Sequence, residues 1–185
     1  MTYCITGRMA AGKNFICAKM VRDDENLVSI DLDETVHEAI RLCEDRIFSA
    51  FSKDARARGI ELKNADGALN RRELGRLIFP EPELLRRQES IVYPKVVELV
   101  ESFVAESEAR GKSVLINATV LYKTPALMEK CEKIYFVTAP FLKRLVRARR
   151  RDKMPLMQIL SRFRSQRHLL SEYKKTGKEI VLVKN

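Results

Sequence analysis

The chain has 185 residues, 45% hydrophobic and 32% charged, with only 7 Gly and 6 Pro. It is long enough to bury a core without staples, and its composition excludes collagen-like, mucin-like and wholly disordered chains. No apolar run approaches the roughly 20 residues of a membrane span, and Met1 opens onto a strand-like segment rather than a secretory leader, so a cytoplasmic globular protein is expected. The net charge of +10 is local, because residues 141–185 hold 14 Lys and Arg against 3 Asp and Glu.

Tyr3-Cys4-Ile5-Thr6 is a β-prone run stopped by Gly7, and residues 14–20 have helical spacing, so the chain begins strand, loop, helix. Residues 27–30 read as a second strand. Val36, Ile40, Leu42, Cys43, Ile47, Phe48 and Phe51 recur at threes and fours, which predicts one amphipathic helix over 34–58 with Gly59 as its stop. Asp66-Gly67 marks a turn, residues 71–79 a short helix, and residues 83–110 a helical stretch that Pro94 is expected to kink or divide. Residues 113–117 and 133–138 are continuous apolar runs rich in β-branched side chains, the pattern of parallel strands covered on both faces. A helical turn is expected between them, over 125–130. Pro140 suits the first turn of a helix reaching about Arg150, Met154-Pro155 interrupt it, a further helix runs to about Tyr173, and residues 179–183 form the last strand. Strands alternating with helices specify a doubly wound α/β fold. Cys4, Cys17, Cys43 and Cys131 show no C-x-x-C pairing and read as small buried hydrophobes in a reducing compartment; His37 and His168 have no metal-site spacing.

The chemistry concentrates at the first turn. Gly7-Arg8-Met9-Ala10-Ala11-Gly12-Lys13 has the spacing G-x-x-x-x-G-K between a strand and a helix, where a phosphate-binding loop belongs. Such a loop works through inward-facing backbone N–H groups, glycines that allow the required dihedrals, a helix N-terminus, and a lysine on the β/γ oxygens. The next position, ordinarily a Ser or Thr ligand of Mg²⁺, is Asn14, whose amide carbonyl can still coordinate a hard cation. Asp31 and Asp33, two apart at the end of the second strand, are expected to project to one side, toward the ligand crevice. Asp33 could serve there as a proton acceptor, or only as an N-cap of the following helix.

The basic run Lys143, Arg144, Arg147, Arg149, Arg150, Arg151 and Lys153 suits a small polyphosphate or a nucleic-acid backbone, unless it is simply a solvated helix face. No aromatic residues interleave with it as stacking platforms, which counts against nucleic acid as the partner.

Taken together these segments resemble the dephospho-coenzyme A kinase family, P-loop kinases of the nucleoside-monophosphate-kinase-like fold. The distinguishing stretch is Asp66-Gly67-Ala68-Leu69-Asn70-Arg71-Arg72-Glu73-Leu74, continuing through Ile78-Phe79 to Ile91-Val92-Tyr93-Pro94, which looks like the family's D-G-x-L-x-R-x-x-L…F…H-P segment. Asp31-Leu32-Asp33 is similar to its D-x-D. Arg147, Arg151, Asp152 and Gln166 are similar to its lid and the helix behind it, and residues 181–185 to its final strand with an Asn near the adenine.

The resemblance implies a P-loop NTPase-type three-layer α/β/α core with a five-stranded parallel sheet, made of residues 1–33, 111–146 and 167–185. A helical substrate-binding insertion spans 34–110, and a lid with its following helix spans 147–166, all within one unit of 1–185. It implies ATP and Mg²⁺ as the cofactors and dephospho-CoA as the acceptor, phosphorylated on its ribose 3′-hydroxyl. Gly7, Arg8, Met9, Ala10, Ala11, Gly12, Lys13, Asn14 and Asn185 would bind the nucleotide, Asn14 and Asp31 the metal, and Asp31, Asp33, Arg71 and Tyr93 the acceptor. Lys13, Asp33, Arg147 and Arg151 would be catalytic, Asp33 as the base. The departures are Arg8-Met9-Ala10-Ala11 inside the loop, Asn14, Tyr93 in place of the family's His, and Lys123 in place of an acid. A related nucleoside or nucleotide kinase, or a catalytically weakened nucleotide-binding regulatory protein, are the alternatives.

Overall fold

The computed structural model describes residues 1–152 and 154–185; Lys153, and the side chain of Asp152, lie outside the described part. The chain forms two units, one of Met1–Leu32 with Glu101–Asn185 and the other Asp33–Val100.

The first unit is built on five parallel strands: β1 (Thr2–Gly7), β2 (Leu27–Asp31), β3 (Ser113–Asn117), β4 (Cys131–Thr138) and β5 (Glu179–Lys184), in the order β2-β3-β1-β4-β5. The apolar continuity of β1, β3 and β4 follows from this order. All three are interior strands, and Cys4, Ile116 and Ile134, which lie in register across them, are wholly buried. The edge strands β2 and β5 are only partly covered. Helix α1 (Lys13–Asp23) packs Ile16 and Cys17 against Ile5 and Leu115. The chain leaves β1 toward one edge and later crosses to the other, so the loop after β1 sits at a topological switch point, where open α/β sheets bind ligands. The remaining helices of this unit are α6 (Pro125–Lys130), α7 (Phe141–Asp152), α8 (Leu156–Ser165) and α9 (Leu169–Lys174).

The second unit is helical. It takes in most of α2 (Leu32–Leu42), α3 (Glu44–Ala57), α4 (Arg71–Ile78) and the first part of α5 (Pro82–Ala109). Between α3 and α4 the Asp66-Gly67 turn closes a short antiparallel bridge, Lys63 with Leu69, and Gly67 takes a φ of 86°.

Three expectations are corrected. The helix expected over 34–58 is two helices, α2 and α3, because the chain tightens at Cys43, whose N–H is shared between the Ala39 and Ile40 carbonyls. Pro94 does not divide its helix. α5 runs unbroken for 28 residues, because Pro94 is exposed while Val92, Val96 and Val100 keep the inner face buried, so the carbonyl it orphans can be hydrated. The helix expected from Met154-Pro155 to Tyr173 is broken between α8 and α9, where the side chain of Gln166 is drawn to the Met9 N–H at 2.5 Å. The basic run, read as an anion-binding cluster or else a solvated face, is part buried and part exposed. Arg144 is 6% exposed and Arg147 half-buried, while Arg149, Arg150 and Arg151 are exposed.

The four cysteines are free and buried. None of the described helices is long and apolar enough to cross a membrane, and no group of three or more His, Cys, Asp or Glu side chains could hold a metal ion among the described residues.

Candidate active site

The loop of residues 7–12 joins the central strand to the N-terminus of α1. Gly7 is required by close approach, since a Cβ there would stand 2.7 Å from the Val137 carbonyl oxygen. The Ala11 N–H closes a tight turn onto the Arg8 carbonyl at 3.0 Å, with Ala10 at φ 59° as its third residue, a place that ordinarily favours glycine. Gly12 follows at φ 92°. Left-handed residues in such a turn aim successive backbone N–H groups to one side and form a concavity for anions. Helix α1 then begins at Lys13 with no acidic residue in its first turn to offset its positive end.

Asn14, exposed on α1, accepts a hydrogen bond from Asn117 Nδ2 at 3.3 Å, and the same nitrogen donates to Asp31 Oδ2 at 2.8 Å. Asn117 ends β3 in register with Asp31, the last residue of β2. It is 4% exposed, and its Oδ1 has no partner among the described residues. The Asp31 carboxylate and the Asn14 amide oxygen, which share the Asn117 donor, are hard ligands of the kind that suit Mg²⁺. Asn117 escaped the sequence analysis, although a polar residue closing an apolar strand at its C-terminal end was a readable signal.

A second group holds the loop from the side of α7. Arg147 Nη1 and Asn185 Nδ2 both donate to the Ala11 carbonyl, at 3.3 and 2.8 Å, and Arg147 Nη2 donates to Asn185 Oδ1 at 3.3 Å. Arg144 Nε donates to the Met9 carbonyl at 2.9 Å, and its guanidinium lies 4.3 Å from the centre of the Phe163 ring. Met9 and Ala10 in turn pack against Ala148, Ile159 and Phe163. Arg151 is exposed in the last turn of α7. Lys123 is exposed on a 3₁₀ turn, Leu121–Lys123. That segment is pinned by Tyr173, whose hydroxyl accepts from the Leu121 N–H at 2.9 Å and donates to the Thr119 carbonyl at 3.2 Å; burial pushes its pKa well above the usual phenol value.

In the helical unit, Asp33 is exposed in the first turn of α2. Two expectations change. Asp31 closes a strand and Asp33 belongs to a helix, so they are not neighbours on one strand face, and Asp33 lies inside the helix rather than at its N-cap. Arg71 is the exposed first residue of α4, behind Asn70, whose side chain caps the helix by accepting from the Glu73 N–H at 3.2 Å. Glu73 pairs with Arg76 rather than Arg71. The Tyr93 hydroxyl donates to Glu89 Oε1 at 3.3 Å, and burial, then the Glu89 charge, raise its pKa.

A parallel sheet of this order with a G-x-x-x-x-G-K loop at its switch point defines the P-loop class of α/β nucleotide-binding folds. The sequence model of the dephospho-CoA kinase family matches residues 1–185. A dephospho-CoA kinase of Treponema denticola is 32% identical over 183 residues, 98% of this chain and 80% of that protein; one from Treponema pallidum is 33% identical over 164 residues, 88% and 76% of the two chains. Among solved structures, a crystal structure from Thermus thermophilus superposes with a TM-score of 0.78 at 25% identity, covering 100% of this chain and 88% of the other. The dephospho-CoA kinase of Campylobacter jejuni shares the fold with a TM-score of 0.64. The chain belongs to the dephospho-CoA kinase family, and it is accordingly a phosphotransferase that uses ATP to phosphorylate dephospho-CoA.

Proposed function

We propose that the chain transfers the γ-phosphoryl group of ATP to the ribose 3′-hydroxyl of dephospho-CoA, in the cytoplasm, with the following division of labour. The backbone of residues 7–14 and Lys13 hold the nucleotide phosphates, and Asn185, bonded to the loop, borders the adenine. Asp31 and Asn14, tied together by Asn117, would hold Mg²⁺, which supplies charge neutralisation to the phosphates when bound. Asp33 accepts the proton of the acceptor hydroxyl as its oxygen forms the new bond to phosphorus and ADP leaves with the pair of the broken P–O bond. Arg147 and Arg151 stabilise charge on the transferring group, as part of a lid and following helix spanning 147–166. Residues 34–110, with Arg71 and Tyr93, bind the acceptor. Four free, buried cysteines suit a reducing compartment.

The observation that carries this reading is the loop: two left-handed residues, a glycine packed on β4, and a lysine heading a helix, all at the switch point of the sheet. The test is direct. Purified protein with ATP, Mg²⁺ and dephospho-CoA should yield ADP and CoA, and Asp33→Asn should lower kcat by about 10²- to 10⁴-fold with little change in stability. ATP binding without turnover at any metal concentration or pH would instead identify a nucleotide-binding regulatory protein.

A further inference from the structure

Two guanidinium groups meet against the phosphate loop without a carboxylate. Arg144 is 6% exposed and already spends its Nε on the Met9 carbonyl; its Nη2 is buried and has no partner among the described residues. Arg8 spends one Nη2 hydrogen on the Arg167 carbonyl at 2.9 Å, and its Nε is likewise buried and unpartnered. Both line one cleft of about 90 Å³, whose other walls are Ala11, Phe136, Val137, Thr138, Ala139 and Leu170. None of the ion pairs among the described residues involves Arg8 or Arg144. Burial, and then the Arg8 charge, push the Arg144 guanidinium below its ordinary pKa, the mark of two cations held together in a poorly solvated place.

Leaving two charged donors buried and unsatisfied is costly, and an anion placed between them removes both penalties at once through charge-assisted hydrogen bonds. The volume limits the choice. At about 30 Å³ per water molecule, the cleft has room for about three waters or one compact ion. Arg8 and Ala11 belong to the phosphate loop, but Gly12, Lys13 and Asn14, which head α1, are not among the walls of the cleft, so it does not open at the start of that helix. We propose that Arg8 and Arg144 form a binding site for a small inorganic anion of the size of chloride, lodged under the phosphate loop and distinct from the nucleotide phosphates.

Bromide is the probe, used with the full chain in the absence of nucleotide. Crystals grown in sodium bromide should give an anomalous peak between Arg8 and Arg144. In solution, bromide or chloride should raise Tm saturably relative to sodium gluconate at equal ionic strength, whereas Arg8→Ala should weaken the apparent halide affinity at least about tenfold. Arg8 is partly exposed on a loop, so this variant tests the site without emptying the core. Three results would overturn the proposal: no anomalous density at the two guanidiniums, an equal halide response in Arg8→Ala, or competitive displacement of the halide by ATP, which would make the cleft a subsite for a nucleotide phosphate.

Discussion

Gly12→Ala isolates what holds the phosphate loop in shape. Two penalties arise. The residue sits at φ 92°, where an L side chain costs about 1–2 kcal/mol, and an added Cβ would lie 1.8 Å from Asn185 Nδ2 and 3.2 Å from Arg147 Nη1. Asn185 must therefore move, giving up its bond to the Ala11 carbonyl and the one it accepts from Arg147. At about 1 kcal/mol for each of these part-buried bonds, the total destabilisation is about 3–4 kcal/mol, or about 6–16 °C in Tm for a chain of this size. Gly111→Ala is the control: it has φ 72° and nothing within 4 Å of the added carbon, so it should cost only the backbone strain, about 1–2 kcal/mol. Calorimetric titration of ATP should show weakened binding for Gly12→Ala alone. In an Asn185→Ala background the same substitution should cost about 2 kcal/mol less, the coupling read from a double-mutant cycle in denaturant unfolding. Equal costs for Gly12→Ala and Gly111→Ala, or no coupling to Asn185, would refute the reasoning.

Asn117→Ala frees both Asn14 and Asp31 from their shared donor and should lower kcat by about 10- to 100-fold, the usual effect of removing a group that orients metal ligands, with the Mg²⁺ concentration for half-maximal rate shifted upward in a coupled ADP assay. Tyr173→Phe leaves the buried Leu121 N–H without its acceptor, while the Thr119 carbonyl keeps its bond from Thr6; a loss of about 1–3 kcal/mol should appear in urea unfolding. Burial pushes the Cys131 thiol up to about 12 from 9.0. The unfolded chain thus releases that proton first, and the stability contributed by the neutral thiol is fully present below pH 9 and lost as pH rises toward 12, by up to about 4 kcal/mol. Urea midpoints for Cys131→Ala should decline less steeply over this window than those of the unaltered chain.

The strands were legible because parallel strands buried on both faces are written as uninterrupted apolar runs, and β3 lies where Ser113, Val114, Leu115, Ile116 and Asn117 predicted it. The phosphate loop was legible because its glycines and lysine are needed locally. What the sequence concealed was set by tertiary contacts. Nothing in the composition around Cys43 stops a helix, yet the turn there splits one periodic pattern into α2 and α3. The break between α8 and α9 depends on Gln166 reaching Met9, more than 150 residues away along the chain. Pro94 misled in the other direction, because its cost depends on which face of the helix it occupies. In the site, the positions of Lys13 at the head of α1 and Asp31 at the end of β2 were legible, but the link through Asn117 joins residues 14, 31 and 117, a pairing no local pattern encodes.

The sheet order also shapes how the protein is made. β1 precedes the other four strands along the chain, yet its two neighbours in the finished sheet begin at residues 113 and 131. Both of its edges therefore stay unpaired until residues 113 onward have been made. Such distant pairing slows folding and leaves an unpaired apolar segment open to wrong partners meanwhile.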